Sequence, residues 1–366
     1  MCVKALISIF LCLFFSVVEA EETIGIFTYK VLGVNPWDPG SVKMGIAGSE
    51  EAVIYVAEKL AKIGYRVLVY ADPPQGSLHS LPGANPRYVD VNFDDKTFLD
   101  IAIAWRQPYD ALRLKGRAKK VYLWPHDTFH SKMAASEIEA FDDVLWLSEW
   151  QRRQWISVNP PFAKFTKIFG NAINPESERR IQRRDNPYSC IYGSNYARGL
   201  DVLLNIWPNI RQRFPKATLD IYYGWQHWGL LSREKEADMR AQIAALRAFG
   251  VQDHGKVGHE ELQRAYERAS FWTYPCTDLE TFCITAIRAQ LAGAMPVIIE
   301  GSALSETVRH GFKCPSSEDY EKTLLQALQQ AENITLEERK KMGEFILNEF
   351  TWEILAKKWA ELFSRP

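Results

Sequence analysis

The chain has 366 residues, more than one ordinary domain, and its length fits two α/β domains. Its 47% apolar and 24% charged residues make an ordinary soluble globular composition, with enough apolar mass for two cores. A formal net charge of -1, with no long run of one sign, argues against nucleic acid or an anionic membrane surface as partner and leaves room for a local site for a phosphorylated small molecule.

The first twenty residues differ from the rest. Lys4 precedes a nearly unbroken apolar run from Ala5 to Val18, and Val18-Glu19-Ala20 ends in a small residue before Glu21. Residues 1–20 therefore read as a secretory signal peptide or a short anchor, since the run is short for a spanning helix. The expected location is the lumen of the secretory pathway or a membrane surface held by this segment, with the cytoplasm as the alternative. Mass spectrometry of the native protein is expected to find a new N-terminus near Glu21, or membrane attachment; an intact soluble cytosolic chain would contradict the reading.

Thr23 to Tyr29 reads as the first strand, followed by the Gly-containing turn Gly45-Ile46-Ala47-Gly48-Ser49. Ala52, Val53, Val56, Leu60 and Ile63 then recur at helical spacing up to a stop at Gly64. Further strands are expected at Arg66–Tyr70, Ile101–Trp105, Val121–Trp124 and Val144–Leu147. The stretch Phe169 to Arg184 reads as a linker. The pattern restarts with strand Tyr188–Tyr192, turn Gly193-Ser194-Asn195 and a helix carrying Leu200, Leu203, Leu204 and Trp207. Strands Thr218–Tyr223, Phe271–Tyr274 and Pro296–Ile299 follow, with helices between them. This alternation predicts an α/β protein of two doubly wound, Rossmann-like domains facing a cleft. The expected division is 21–170 for the N-terminal domain, 171–345 for the C-terminal domain, and a helix in 346–366 returning to the N-terminal domain.

Four cysteines lie outside the leader, Cys190, Cys276, Cys283 and Cys314, with no spacing that suggests zinc or a disulfide-dense scaffold. Asn333-Ile334-Thr335 is a glycosylation sequon, relevant only in an ER lumen. Asp90, Asp94 and Asp95 read as surface charge.

Three segments carry chemistry. Gly48 and Ser49 lie between a strand and a helix, where backbone can approach an anion, with a Ser-capped turn as the plain alternative. The segment is not the three-glycine dinucleotide fingerprint, which disfavours a nicotinamide or flavin enzyme. Gly193, Ser194 and Arg198 form a small-residue turn with a guanidinium just before a helix, suited to a diphosphate. Tyr274-Pro275-Cys276-Thr277-Asp278-Leu279-Glu280-Thr281-Phe282-Cys283-Ile284 runs from a strand end through an acidic loop to a helix expected to start near Thr281.

This last segment resembles the family-four retaining glycosyltransferases, glycosyl transferases group 1, whose members read Glu-Thr-Phe-Gly-Ile here and end the next helix in Ala-Gly-Pro-Val. Arg198-Gly199-Leu200 is similar to the family's Lys-Gly phosphate-binding turn. His254-Gly255-Lys256-Val257-Gly258 is similar to its Gly-Arg-Val strand, Leu147-Ser148-Glu149 to its Ser-Glu strand end, and Gly170-Asn171-Ala172-Ile173-Asn174 to its linker.

The resemblance implies a GT-B fold and a retaining, hexosyl-type transferase. Its donor would be a nucleoside-diphosphate sugar and its acceptor an unspecified glycan, lipid or protein, with no cofactor and no metal. It implies that Glu280 binds the donor sugar, His126 contacts it from the N-terminal domain, and Arg198 neutralises the leaving diphosphate. Gly48, Ser49, Gly193, Ser194, Lys256, Cys283, Ile284 and Arg288 would line the donor site. The family's second Glu, seven intervening residues after the first and implied to bind ribose, is here Arg288, which accepts no hydrogen bond. A catalytically inactive sugar- or nucleotide-binding scaffold is therefore the alternative, and a GT-B-like epimerase or phosphorylase a further one.

Overall fold

The computed structural model describes residues 21–30, 35–93, 96–175, 181–225 and 231–365. The leader, Asp94 and Asp95, and part of the expected linker lie outside the described residues.

The N-terminal domain contains β1 (Thr23–Phe27), α1 (Gly48–Lys62), β2 (Arg66–Ala71), β3 (Arg87–Asp90) and β4 (Leu99–Trp105). It continues with α2 (Ala111–Lys115), β5 (Ala118–Trp124), α3 (Ala135–Glu139), β6 (Asp143–Val144) and α4 (Glu149–Val158). The strands pair in parallel in the order β3-β2-β1-β4-β5-β6. Runs such as Ile101 to Trp105 are buried on both faces, as a helix-covered parallel sheet requires.

The C-terminal domain repeats the plan with β7 (Ser189–Gly193), α5 (Leu200–Arg213), β8 (Thr218–Tyr222), α6 (Arg233–Leu246), β9 (Val251–Gly255) and α7 (His259–Arg268). Then come β10 (Phe271–Tyr274), α8 (Ile284–Leu291), β11 (Met295–Ile299), α9 (Leu304–Thr307), β12 (Phe312–Cys314) and α10 (Tyr320–Gln329). Its sheet order is β12-β11-β10-β7-β8-β9. In each sheet the order reverses beside the first strand, at β1/β4 and β7/β10. The crevices beyond those strand ends are the places where such sheets hold ligands.

The chain ends with α11 (Leu336–Glu349) and α12 (Trp352–Phe363). The second of these packs on α1: Trp352, Leu355 and Trp359 share a buried cluster with Val53, Val56 and Leu60. The Trp359 ring meets Trp124 edge-on at 4.8 Å.

Several expected boundaries shift. Val144–Leu147 was expected as a strand, but β6 stops at Val144, because the chain turns to seat Ser148 as the cap of α4. There the Gln151 side chain takes the Leu147 N–H that a ladder would have used. The helix expected near Thr281 starts at Ile284. Cys283, with φ of 70°, is its N-cap in the left-handed region and cannot belong to the helix. Gly48 and Ser49 already belong to α1, whose N-cap is Ala47, so Ser49 caps nothing.

Candidate active site

A cleft of about 310 Å³ opens between the domains, with Ser49, Arg106 and His126 on one wall and Arg198, Glu280 and Ile284 on the other. Two helix N-termini meet at it. A Cβ on Gly48, the first residue of α1, would lie 3.1 Å from the side chain of Ile284, the first residue of α8. The first turn of each helix carries N–H groups without a partner in the helix and the positive end of its dipole, so the junction favours an anion. Contacts across the domains hold it. Thr281 Oγ1 donates to the His126 carbonyl at 2.9 Å, and Ser148 Oγ donates to the Thr281 carbonyl at 2.8 Å. The Glu306 carboxylate accepts from the backbone N–H groups of Glu149 and Trp150, the first residues of α4.

On the C-terminal wall, Glu280 Oε1 accepts from Arg198 Nη1 and from the buried Tyr274 hydroxyl, each at 2.5 Å. Burial works against the guanidinium's charge, but the Glu280 carboxylate outweighs it and holds the Arg198 pKa above its ordinary value. Burial likewise keeps Tyr274 protonated. The turn that carries Arg198 is fixed by the Tyr192 hydroxyl, which donates to the carbonyls of Asn195 and Arg198 at 2.6 and 3.0 Å. Gly199 lets this turn abut the end of β10: its φ is 85°, and a Cβ there would meet the Pro275 carbonyl at 2.1 Å.

On the N-terminal wall, the His126 ring sits edge-on to Trp124 at 4.5 Å, and its Nε2 has no hydrogen-bond partner among the described residues. Burial, and then the nearby Arg106 charge, push its pKa well below the ordinary value, so the ring is neutral at pH 7. A neutral imidazole nitrogen with no partner suits a sugar hydroxyl. Arg106 follows β4 with φ of 64° and grips Asp127 through two bonds of 2.6 and 2.8 Å.

Glu50 lies beneath this wall, 1% exposed, accepting from Ser49 Oγ at 3.0 Å. Burial raises its pKa above the ordinary 4.5. The unfolded chain ionises at the lower value, so Glu50 costs folding nothing below it; the cost grows as pH rises from that value to the folded one and is constant above it. Glu50→Gln is accordingly expected to raise Tm at pH 7 by about 2–4 °C and to leave it unchanged at pH 4. Equal shifts at both pH values, or a fall at pH 7, would contradict the burial argument.

Residues 187–331, most of the C-terminal domain, match the family of glycosyl transferases group 1. HepE of Anabaena, solved with UDP and glucose, superposes with a TM-score of 0.69 at 14% identity, over 95% of this chain and 100% of that one. Sucrose-phosphate synthase of Thermosynechococcus elongatus gives 0.68 at 14%, over 94% and 98%. A glycosyltransferase of Rickettsia africae gives 0.70 at 13%, over 94% and 98%. No curated relative matches the chain in sequence. The fold is GT-B. The Glu280-Thr281-Phe282 segment, which carries the resemblance to group 1, lies within the matched residues of the C-terminal domain.

The GT-B cleft gathers Gly48, Ser49, His126, Ser194, Arg198, Glu280, Cys283 and Ile284 of the expected site residues. Three stand elsewhere. Gly193 is buried at the end of β7, where a Cβ would lie 2.1 Å from the Tyr266 hydroxyl; its smallness serves packing. Lys256 lines a neighbouring cavity of about 50 Å³ together with Tyr223 and Val257.

Arg288 does not reach the cleft, so its expected place in the donor wall is corrected. It reaches across the domain boundary to Glu51 of α1, Nη2 to Oε1 at 2.7 Å, with both side chains largely buried. His259 Nδ1 lies 3.4 Å from the same oxygen. A buried guanidinium needs a counter-charge, and the N-terminal domain supplies one.

Asp127, Tyr223 and Asn171 also line the cleft and were not singled out from the sequence. Adjacency to His126 was the one available signal for Asp127. No group of three His, Cys, Asp or Glu side chains among the described residues is placed to hold a metal ion. No described helix is long and apolar enough to cross a membrane.

Proposed function

We propose that the chain is a retaining glycosyltransferase that moves a hexosyl group from a nucleoside-diphosphate sugar to a hydroxyl of a glycan, lipid or protein. The observation that carries the proposal is the convergence, in one cleft, of the N-termini of α1 and α8 with the Arg198–Glu280 pair and the neutral His126. Helix N-termini and Arg198 suit a diphosphate, which gains charge as the sugar leaves. Glu280 and His126, from opposite domains, suit the hydroxyls of a hexose. The chemistry then rests on positioning and on stabilising the departing diphosphate. The thiols do not serve as nucleophiles: burial raises Cys276 to about 11 and Cys283 well above the ordinary range, so neither is a thiolate at pH 7.

HepE, of similar fold, is solved with UDP, which supports a nucleotide as ligand, and the likeness of Glu280-Thr281-Phe282 to retaining enzymes supports retention. Calorimetric titration with UDP, GDP and ADP tests the donor site. Micromolar binding of at least one is expected, and no heat with any of them would overturn the proposal. NMR of the product's anomeric proton tests retention, and inverted configuration would refute it.

A further inference from the structure

Beside the diphosphate junction, two further cavities lie between the domains. Ala47 and Tyr223 line both the cleft and the cavity of about 50 Å³ beside it. His259 lines that cavity and also a larger one, of about 130 Å³, whose polar lining is Glu51, Asn174, His259, Gln263, Glu267 and Arg288. The three spaces thus form a series by shared wall residues, from the helix N-termini to the Glu51–Arg288 pair. Both domains wall it. The N-terminal domain supplies Gly45 to Ala47 and Glu51, and the C-terminal domain supplies the start of α7 and the second turn of α8. The fit is close. A Cβ on Gly45 would lie 2.4 Å from the Val257 carbonyl, and one on Gly258 would lie 2.2 Å from the Lys43 carbonyl. His259 Nε2 lies 3.2 Å from the Ile46 carbonyl.

We propose that this series takes the nucleoside half of a nucleoside-diphosphate ligand, and that Glu51, presented by the N-terminal domain and held by Arg288, is the carboxylate that accepts its ribose hydroxyls. The proposal rests on the donor reading above. Arg288 stands one turn down α8 from Ile284, about 6 Å along the axis, so a diphosphate at the helix N-terminus places the attached ribose beside the Arg288–Glu51 pair. The chemistry fits a diol: an ionised carboxylate only accepts, and vicinal hydroxyls each donate. Both contacts recorded for Glu51 fall on Oε1, and the residue lines the larger cavity. Burial alone would raise the Glu51 pKa; Arg288, then His259, outweigh it and keep the carboxyl below its ordinary range. The nucleoside site is therefore composite and complete only when the domains are together, with Arg288 as a positioning residue rather than a ligand of the nucleotide.

The test compares nucleoside diphosphates with their 2′-deoxy counterparts by calorimetry on the full chain. Wild type is expected to prefer the ribo form by about tenfold or more, the scale of a hydrogen bond to a charged group. Glu51→Gln is expected to reduce that preference below about threefold with little change in deoxy affinity. Arg288→Lys, which keeps a cation beside Glu51, is expected to retain most of the preference. A Glu51→Gln protein that keeps the wild-type ratio would overturn the proposal and leave the pair as a domain fastening only. Should Glu51→Gln fail to fold, the wild-type ratio decides, and a ratio near one overturns it. If wild type binds no nucleoside diphosphate at all, the donor reading itself has failed, a result distinct from binding without ribose preference.

Discussion

Glu280→Gln is expected to lower kcat by about 10²–10³-fold, the scale of removing one preorganised group from a polar active site. The substitution preserves shape but removes the charge that Arg198 and Tyr274 both face. Two consequences follow from that geometry. The donor sugar loses its charged acceptor, so turnover falls. Arg198 loses its internal counter-charge and faces a diphosphate alone, so nucleoside-diphosphate affinity is retained or tightened. The fold is expected to stand, since Gln keeps an acceptor for Tyr274 and for Arg198. Equal turnover of mutant and wild type at saturating donor would remove Glu280 from the mechanism. Weakened nucleotide binding would place it at the nucleotide instead of the sugar.

Arg198→Ala is expected to cost about 2–4 kcal/mol of transition-state stabilisation, read from kcat/KM. The reason is positional. Arg198 lies at the mouth of α5, its turn is pinned by Tyr192, and its side chain enters the cleft beside Glu280. A guanidinium held this way needs no reorganisation as charge develops on the leaving group. The same change leaves Glu280 without its cation, so a fall in Tm is expected too, as when one partner of a buried pair is removed. Arg198→Lys separates the two effects. It keeps the charge but not the geometry, and is expected to recover most of the lost stability and only part of the lost rate. Full recovery of rate by Lys would mean that charge alone suffices. No loss of rate in Arg198→Ala would move the diphosphate away from this wall.

The fold was largely legible because its central strands announce themselves. Ile101 to Trp105 and Phe271 to Tyr274 are buried on both faces, and such runs between helical periodicities point to parallel sheets. Two of the four edge strands, β3 and β12, did not show. β3 and β12 have four and three residues, carry Arg87, Asp90 and Lys313, and lack a buried run. The start of α8 was misplaced by three residues because a left-handed Cys283 leaves no mark in composition or periodicity.

Of the site, the motif-bearing side chains could be read from chain order, since short loops after β5, β7 and β10 deliver His126, Ser194 and Glu280 to one cleft. What the sequence hid were pairings across the domains. Arg288 read as a donor ligand because its partner Glu51 lies 237 residues away in another domain. Nor did any local pattern reveal that Arg198 and Glu280, expected to contact different parts of a donor, are bonded to each other.

On the proposed function, this cleft activates a nucleotide-sugar donor. The most direct measurement is release of free nucleoside diphosphate from a panel of UDP-, GDP- and ADP-linked hexoses, comparing wild type with Glu280→Gln. Wild type is expected to release it from at least one donor, with free sugar or glycoside formed in equal amount, and the variant at no more than about one-hundredth of that rate. No release from any donor by a folded wild type that still binds nucleoside diphosphates would contradict the claim and leave the chain as a GT-B binding protein.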